Sequence, residues 1–274
     1  RAVVVIGDTN STLGCARAAV QMRIPLGHVE AGLRADDRGR AEEINRRMVE
    51  AVSELLCAPS AAAVARLELE HQPGTIEFTG DIAYDVLRKN LSKARPPAGE
   101  PGWPLPAGTP YAIATLHRAE LTAKPEGLEA TVASLRSLPI PIVFPVHPRV
   151  SAAMAALGLT SGGMLHVMPP LGYFEMIGAI RDASVVVTDS GGVQREAYWL
   201  GIPCVTMRTE TEWRETVALG ANVLVAPSRA EADLAGGVAA RLNMARTWDR
   251  TTYGAGDAAK RITEAIGVME RAFA

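Results

Sequence analysis

Val185-Val-Val-Thr188-Asp-Ser-Gly-Gly192 is the stretch that decides the fold. Its opening run has no polar–apolar alternation, so both faces of the strand must be covered, as in the interior of a parallel sheet. The chain then turns through Asp189-Ser190-Gly191-Gly192 directly into a segment of helical period over 191–200. Two glycines let a ligand approach the backbone there, and the N–H groups of a helix N-terminus bind phosphate. A tight turn capped by Ser190 would look the same. No Gly-Lys-Ser/Thr follows and the turn is not Gly-x-Gly-x-x-Gly, so this is neither a Walker loop nor a dinucleotide fingerprint.

Outward from this unit the pattern repeats in both directions. Short runs rich in Val and Ile predict strands at 2–6, 26–29, 55–58, 75–79, 110–115, 141–146, 164–168, 184–188, 203–206 and 222–225. Segments of helical period between them include 11–22, 42–53, 60–68, 81–94, 172–182, 191–200 and 229–245. Strand–helix alternation at this spacing predicts α/β architecture with doubly wound, Rossmann-like sheets. Residues 95–109 carry five prolines and three glycines, which sustain neither helix nor interior strand, and they are expected to form a linker. The expected organisation is an N-terminal Rossmann-like domain over 1–94, a C-terminal one over 110–250, and a last helix in 251–274 returning to the first domain. Two such domains facing a cleft give a scaffold like that of glycosyltransferase-B enzymes.

Composition narrows the function classes. The chain has 274 residues, 48% of them hydrophobic and 21% charged, with a formal net charge of −2. That balance gives ample core and no basic footprint for nucleic acid. Cys15, Cys57 and Cys204 lie far apart in apolar runs, which suits buried thiols in a reducing compartment better than disulfides or a metal site. No apolar run reaches the ~20 residues that span a bilayer, and the first residues do not read as a signal peptide. A soluble, cytoplasmic protein is expected and, as the commonest closed assembly, a homodimer.

In open α/β sheets ligands bind beyond the carboxyl ends of the strands. Strand 2–6 runs into Gly7-Asp8-Thr9 and strand 26–29 into Glu30, so Asp8 and Glu30 should emerge on one sheet edge, in positions where function outweighs loop solvation. Glu42 and Glu43 open the next helix, where an acid is favoured by the dipole, and Glu43 reads as a simple helix-start acid. His117 closes strand 110–115, followed by Arg118 and Glu120; a histidine and arginine there suit a diphosphate or a proton transfer. Glu196, about one turn into the helix after Gly192, could reach ribose hydroxyls, and Arg208 adds a cation beyond strand 203–206. His147, between two prolines, reads as a turn residue, and His28 as a satisfied buried histidine. Together these residues describe a nucleotide-sugar held by two α/β domains without naming the reaction.

The same segments resemble the non-hydrolysing UDP-N-acetylglucosamine 2-epimerase family. Gly7-Asp8-Thr9 resembles its Gly-Asp-Thr turn, and His28-Val-Glu-Ala-Gly-Leu-Arg34 matches a signature residue for residue. Glu42-Glu-Ile-Asn-Arg46, Leu116-His-Arg-Ala-Glu120, Pro145-Val-His-Pro148, Thr188-Asp-Ser-Gly-Gly-Val-Gln194 with Glu196, Thr211-Glu212 with Glu215, and Tyr253-Gly-Ala-Gly-Asp-Ala258 follow in the family's order. The resemblance implies elimination of UDP across C1–C2 to give 2-acetamidoglucal, protonation on the other face, and re-addition of UDP, with neither redox cofactor nor metal. It implies acid/base roles for Asp8, Glu30 and Glu42, and a phosphate role for His117. It also implies diphosphate contacts from Ser190, Gly191 and Gly192, a ribose contact from Glu196 and nucleotide contacts from Arg118 and Arg208, with domain closure excluding water.

Departures from the family pattern are specific. Ala41 stands where proline is usual and Arg195 where an acid is common; the short loop 35–40 and Glu212-Trp-Arg-Glu215 resemble the archaeal-type branch. The family's opening strand and Gly-Thr-Arg-Pro-Glu turn do not occur, which leaves the first domain incomplete. An upstream or separate segment is therefore expected, and little or no activity without it. Competing readings are a hydrolysing variant releasing N-acetylmannosamine, a branch acting on a 2,3-diacetamido uronic acid, a glycosyltransferase, and a non-catalytic nucleotide-sugar-binding remnant. Ala31-Gly-Leu-Arg34 favours the simple sugar over the uronic acid.

Overall fold

The computed structural model describes residues 1–95, 99–118 and 124–273. Glu120 lies outside them. The chain divides into two compact units, Arg1–Lys89 with Thr251–Ala274, and Asn90–Arg250.

The first unit has a four-stranded sheet of β1 (Val3–Ile6), β2 (Leu26–Val29), β3 (Leu55–Ala58) and β4 (Thr75–Phe78) in that spatial order. Every pairing in it is parallel. Helices α1 (Asn10–Gln21), α2 (Ala41–Glu50), α3 (Ala61–Leu69) and α4 (Ile82–Asn90) connect or follow the strands. The period of 2 in β3 sorts its side chains by face: Leu56 and Ala58 pack with Ala63 and Leu67 of α3, whereas Leu55 and Cys57 meet the C-terminal helix, 258–272. That helix is pinned at its start. Asp85 of α4 accepts from the amides of Ala258 and Ala259 at 3.1 and 2.8 Å, and Tyr253 O accepts from Asp81 N at 2.9 Å.

The second unit has six parallel strands: β5 (Ala112–Thr115), β6 (Ile142–Pro145), β7 (Leu165–Met168), β8 (Val185–Thr188), β9 (Cys204–Thr206) and β10 (Asn222–Leu224). Their spatial order is β10-β9-β8-β5-β6-β7. The chain winds outward from β5 in one direction and from β8 in the other, so the order reverses between them, the Rossmann arrangement. Helices α5 (Pro125–Arg136), α6 (Pro148–Ala156), α7 (Tyr173–Asp182), α8 (Gly191–Leu200), α9 (Arg214–Ala218) and α10 (Ala230–Leu242) complete the unit; the C-terminal helix Ala258–Ala272 is then α11. Val185 and Val187 face the layer of α5 and α10, and Val186 faces that of α7 and α8. All three valines are fully buried, contributing ~1.5–3 kcal/mol each.

The ten strands fall within two residues of their expected bounds. The expectation of buried thiols fails at Cys15, which is exposed, while Cys57 and Cys204 are buried. Thr12, Ala16 and Ala19 form the buried face of α1, which leaves position 15 outside it.

Gly178 in α7 shows how tightly the second unit is packed. A Cβ there would stand 1.8 Å from the carbonyl oxygen of Arg95, the residue whose N–H bonds Phe174 O at 3.2 Å. Alanine in a helix interior gains ~1 kcal/mol over glycine, but the overlap with backbone costs ~1–3 kcal/mol or more. Gly178→Ala is therefore expected to destabilise by ~2 kcal/mol despite its better helix propensity. Denaturant unfolding of the two proteins checks it.

Candidate functional site

In the first unit the site residues gather where β1 and β2 end. Ile6 pairs with Val29, so Asp8 and Glu30 follow neighbouring strand ends. Gly7 takes φ +70°, a conformation that favours glycine; a Cβ there would make only an ordinary contact, 3.6 Å from Oε2 of Glu30, so the backbone and not the space requires glycine. Glu30 itself has φ +67°, a conformation that costs of order 1–3 kcal/mol in a non-glycine residue. It is held by the amides that follow it: Ala31 N donates to Cys57 O at 3.1 Å and Gly32 N to Glu50 Oε1 at 2.7 Å. Burial drives the pKa of His28 down to about 4, so the ring is neutral at neutral pH, and its Nε2–H donates to Gly7 O at 2.8 Å. The histidine thus ties the turn bearing Asp8 to β2.

Helix α2 supplies the partners of Asp8. Arg46 binds Oδ2 of Asp8, and Asn45 Nδ2 donates to its main-chain oxygen at 2.9 Å. Glu42 is exposed on the first turn, whereas Glu43 is wholly buried, the reverse of what a helix-start acid would do. Arg34 is 6% exposed, and its guanidinium meets Glu50 and Glu70, each at 2.5 Å. Burial opposes its charge, but its hydrogen bonds to Glu70 and Glu50 outweigh this and raise its pKa.

In the second unit the site forms where the strand order reverses. His117 follows β5 and Asp189 follows β8. Asp189 is fully buried; its Oδ2 accepts from the amides of His117 and Arg118 at 2.8 and 2.7 Å. Its Oδ1 lies 3.0 Å from Nδ1 of His117. The contact with Asp189 raises the His117 pKa against opposition from partial burial and Arg118. The half-exposed imidazole stands at a cavity of about 320 Å³ lined by Thr115, Pro145, His147, Leu171, Ser190 and Val193.

Ser190 caps α8, accepting from Val193 N at 3.4 Å, so the first-turn amides at Gly191 and Gly192 start beside this cavity. Glu196, half-buried, has its pKa pushed up to about 7 by burial, partly offset by Arg195. Arg195 stacks on the Trp213 ring with 3.9 Å between Cζ and the ring centroid. Both terminal nitrogens of Arg208 are engaged by Glu212, at 3.0 and 2.9 Å.

His117, Ser190 and the α8 terminus therefore come together, while Arg208 is paired within its own loop and Glu196 sits a turn along the helix. In the sequence Asp189 reads only as part of the glycine turn, because its partners are remote in the chain, and His147 reads as a turn residue although it lines the cavity. Glu43, which reads as a helix-start acid, is instead buried among arginines.

Because the His117 pKa is raised in the folded chain, the contact with Asp189 stabilises fully below the ordinary value of 6.5 and loses its effect as pH rises through the folded value. In Asp189→Asn the imidazole is expected to titrate lower. The stability deficit of the variant should be larger in mildly acidic than in alkaline buffer. Histidine NMR titration and denaturation at two pH values measure both.

The UDP-N-acetylglucosamine 2-epimerase family model matches residues 1–267. The UDP-2,3-diacetamido-2,3-dideoxy-D-glucuronate 2-epimerase of Pseudomonas aeruginosa is 40% identical, over 97% of this chain and 75% of its own length. The structure of the Methanocaldococcus jannaschii UDP-GlcNAc 2-epimerase in complex with UDP-GlcNAc and UDP is 33% identical with a TM-score of 0.84, the match covering 97% of this chain and 75% of that one. The Neisseria meningitidis UDP-GlcNAc 2-epimerase bound to UDP-GlcNAc is 27% identical with a TM-score of 0.83, over 97% and 76% of the two chains. The two Rossmann-like α/β units are those of this glycosyltransferase-B-like fold, and among the described residues no helix is long and apolar enough to cross a membrane. The chain belongs to the UDP-N-acetylglucosamine 2-epimerase family, as an enzyme of the epimerase class.

Proposed function

We propose that the chain interconverts UDP-N-acetylglucosamine and UDP-N-acetylmannosamine without net hydrolysis, as a cytoplasmic homodimer. The observation that carries this reading is the buried Asp189 carboxylate beneath His117, which sets a cation-forming ring next to the N-terminus of α8. A departing diphosphate needs that pairing of charge and oriented amides. The reading gives 110–250 the nucleotide: Ser190, Gly191 and Gly192 on the diphosphate, Glu196 on the ribose, and Arg118 and Arg208 as further nucleotide contacts. It gives 1–94 the proton transfers. Residues 95–109 link the two, and 251–274 return to the first.

In the forward direction one of the carboxylates Asp8, Glu30 and Glu42 removes the C2 proton. The C2–H electron pair becomes the C1=C2 double bond of 2-acetamidoglucal, and the C1–O pair leaves with UDP. His117 stabilises the charge on the departing phosphate. A carboxylic acid then delivers a proton to the opposite face of C2, and UDP returns to C1. Each proton taken is replaced, so no redox partner is consumed.

A second substrate deserves testing, because the Pseudomonas aeruginosa relative acts on a diacetamido uronic acid at 40% identity. Proton NMR in deuterated water, with UDP-N-acetylglucosamine and the uronate sugar as alternatives, distinguishes the readings. The same run should include the chain extended at its amino end. Deuterium at C2 with a UDP-linked manno product supports the proposal. Free N-acetylmannosamine shows a hydrolysing enzyme, and UDP binding without exchange in either form of the chain sinks the epimerase reading. In an active form, His117→Ala is expected to lower kcat ~10²–10⁴-fold.

A further inference from the structure

A fully buried carboxylate is unfavourable unless cations and donors surround it. Glu43 meets that condition unusually well. Its Oε1 accepts from Arg47 Nε at 2.7 Å and lies 3.9 Å from Arg34 Nε. Its Oε2 accepts from the amide of Ala35 at 2.9 Å and from Arg46 Nη1 at 3.5 Å. Three arginines and a loop amide converge on a side chain with no exposure at all.

Arg46 gives this arrangement a direction. One terminal nitrogen, Nη1, rests on Glu43, and the other, Nη2, binds Oδ2 of Asp8. Exposure rises along the series, from 0% at Glu43 through 4% at Arg46 to 26% at Asp8, so the relay runs from the interior to a carboxylate open to solvent. Asp8 is held on its other side through its main-chain oxygen by Asn45, from the same helix. A guanidinium held at both terminal nitrogens cannot rotate about its Nε–Cζ bond without breaking one contact.

We propose that Glu43 is a positioning residue: it holds Arg46 so that Arg46 fixes the Asp8 carboxylate for proton transfer. This rests on the reading above that Asp8 takes part in the acid/base chemistry. Glu43 does not touch the sugar. Its neighbour Glu42, exposed on the same first turn, is the one free of this burial.

The test follows Arg46 directly. In nitrogen-15 spectra of the arginine side chains, the terminal protons of Arg46 should be resolved in the unaltered protein and averaged by rotation in Glu43→Gln. Arg46 already averaged in the unaltered protein, or resolved in both, overturns the proposal. Should Glu43→Gln fail to fold, Glu43→Asp, which keeps the charge but shortens the reach, takes its place with the same signal read.

Exchange at C2 is the second readout. Glu43→Gln should lower kcat more than ~10-fold while KM stays within ~2-fold, with partial recovery in Glu43→Asp. Equal loss in kcat and affinity, or no loss, counts against positioning. If neither the chain nor its amino-terminally extended form shows exchange, the epimerase reading fails, and the arginine spectra still decide whether Glu43 holds Arg46.

Discussion

Parallel strands run out of ladder partners at their carboxyl ends, and the candidate chemistry depends on how each unit satisfies the groups left there. In the second unit the solution is a buried carboxylate. Asp189 collects the amides of His117 and Arg118 after β5, so the ends of β5 and β8 are joined by side chain where their backbones diverge. Thr115 and Thr188 add a hydroxyl contact at 2.6 Å just below. In the first unit the solution is a strained residue. Glu30 accepts a left-handed backbone so that the next amides can bond to β3 and to Glu50.

The two units also handle charge in opposite ways. The second presents positive character to its cavity, from an imidazole with raised pKa and the N-terminus of α8. The first holds partly exposed carboxylates against arginines that are themselves buried among acids. Replacing one member of such a network is costly, ~3–5 kcal/mol, because the remaining charge is stranded. Replacing a complete pair with apolar groups is often neutral, so the network is weak evidence of stability. Its value lies in orientation, which requires that donors and acceptors be fixed on both sides.

What was legible in the sequence follows from range. Apolar runs such as Val185-Val-Val and the glycine turn after them report local conformation, so strands, helices and the α8 terminus could be read directly. The Arg208–Glu212 pair has helical-type spacing, but its consequence, a guanidinium already engaged, appears only in three dimensions. Asp189 was invisible as a functional group because the amides it binds lie 71 and 72 residues earlier. Glu42 and Glu43 are adjacent acids with equal helix-start propensity. Which one is buried is decided by Arg34, Arg46 and Ala35, partners that the fold brings together and local pattern does not reveal.

The same distinction bears on substrate choice. The proposed elimination across C1–C2 needs a diphosphate at C1 and a proton at C2, and it is indifferent to what C3 and C6 carry. Family members named for different sugars can therefore share the nucleotide turn and the strand-end carboxylates. Discrimination between an N-acetylhexosamine and a diacetamido uronic acid must come from groups that reach C3 and C6. A buried amide acceptor or a cation placed for a carboxylate discriminates strongly, because the wrong sugar leaves it unpaired, whereas an apolar wall discriminates by only ~1–3 kcal/mol per missing methylene. Under the proposed function, Asp8, Glu30 and Asp189 serve the reaction class and leave the choice of sugar to other groups.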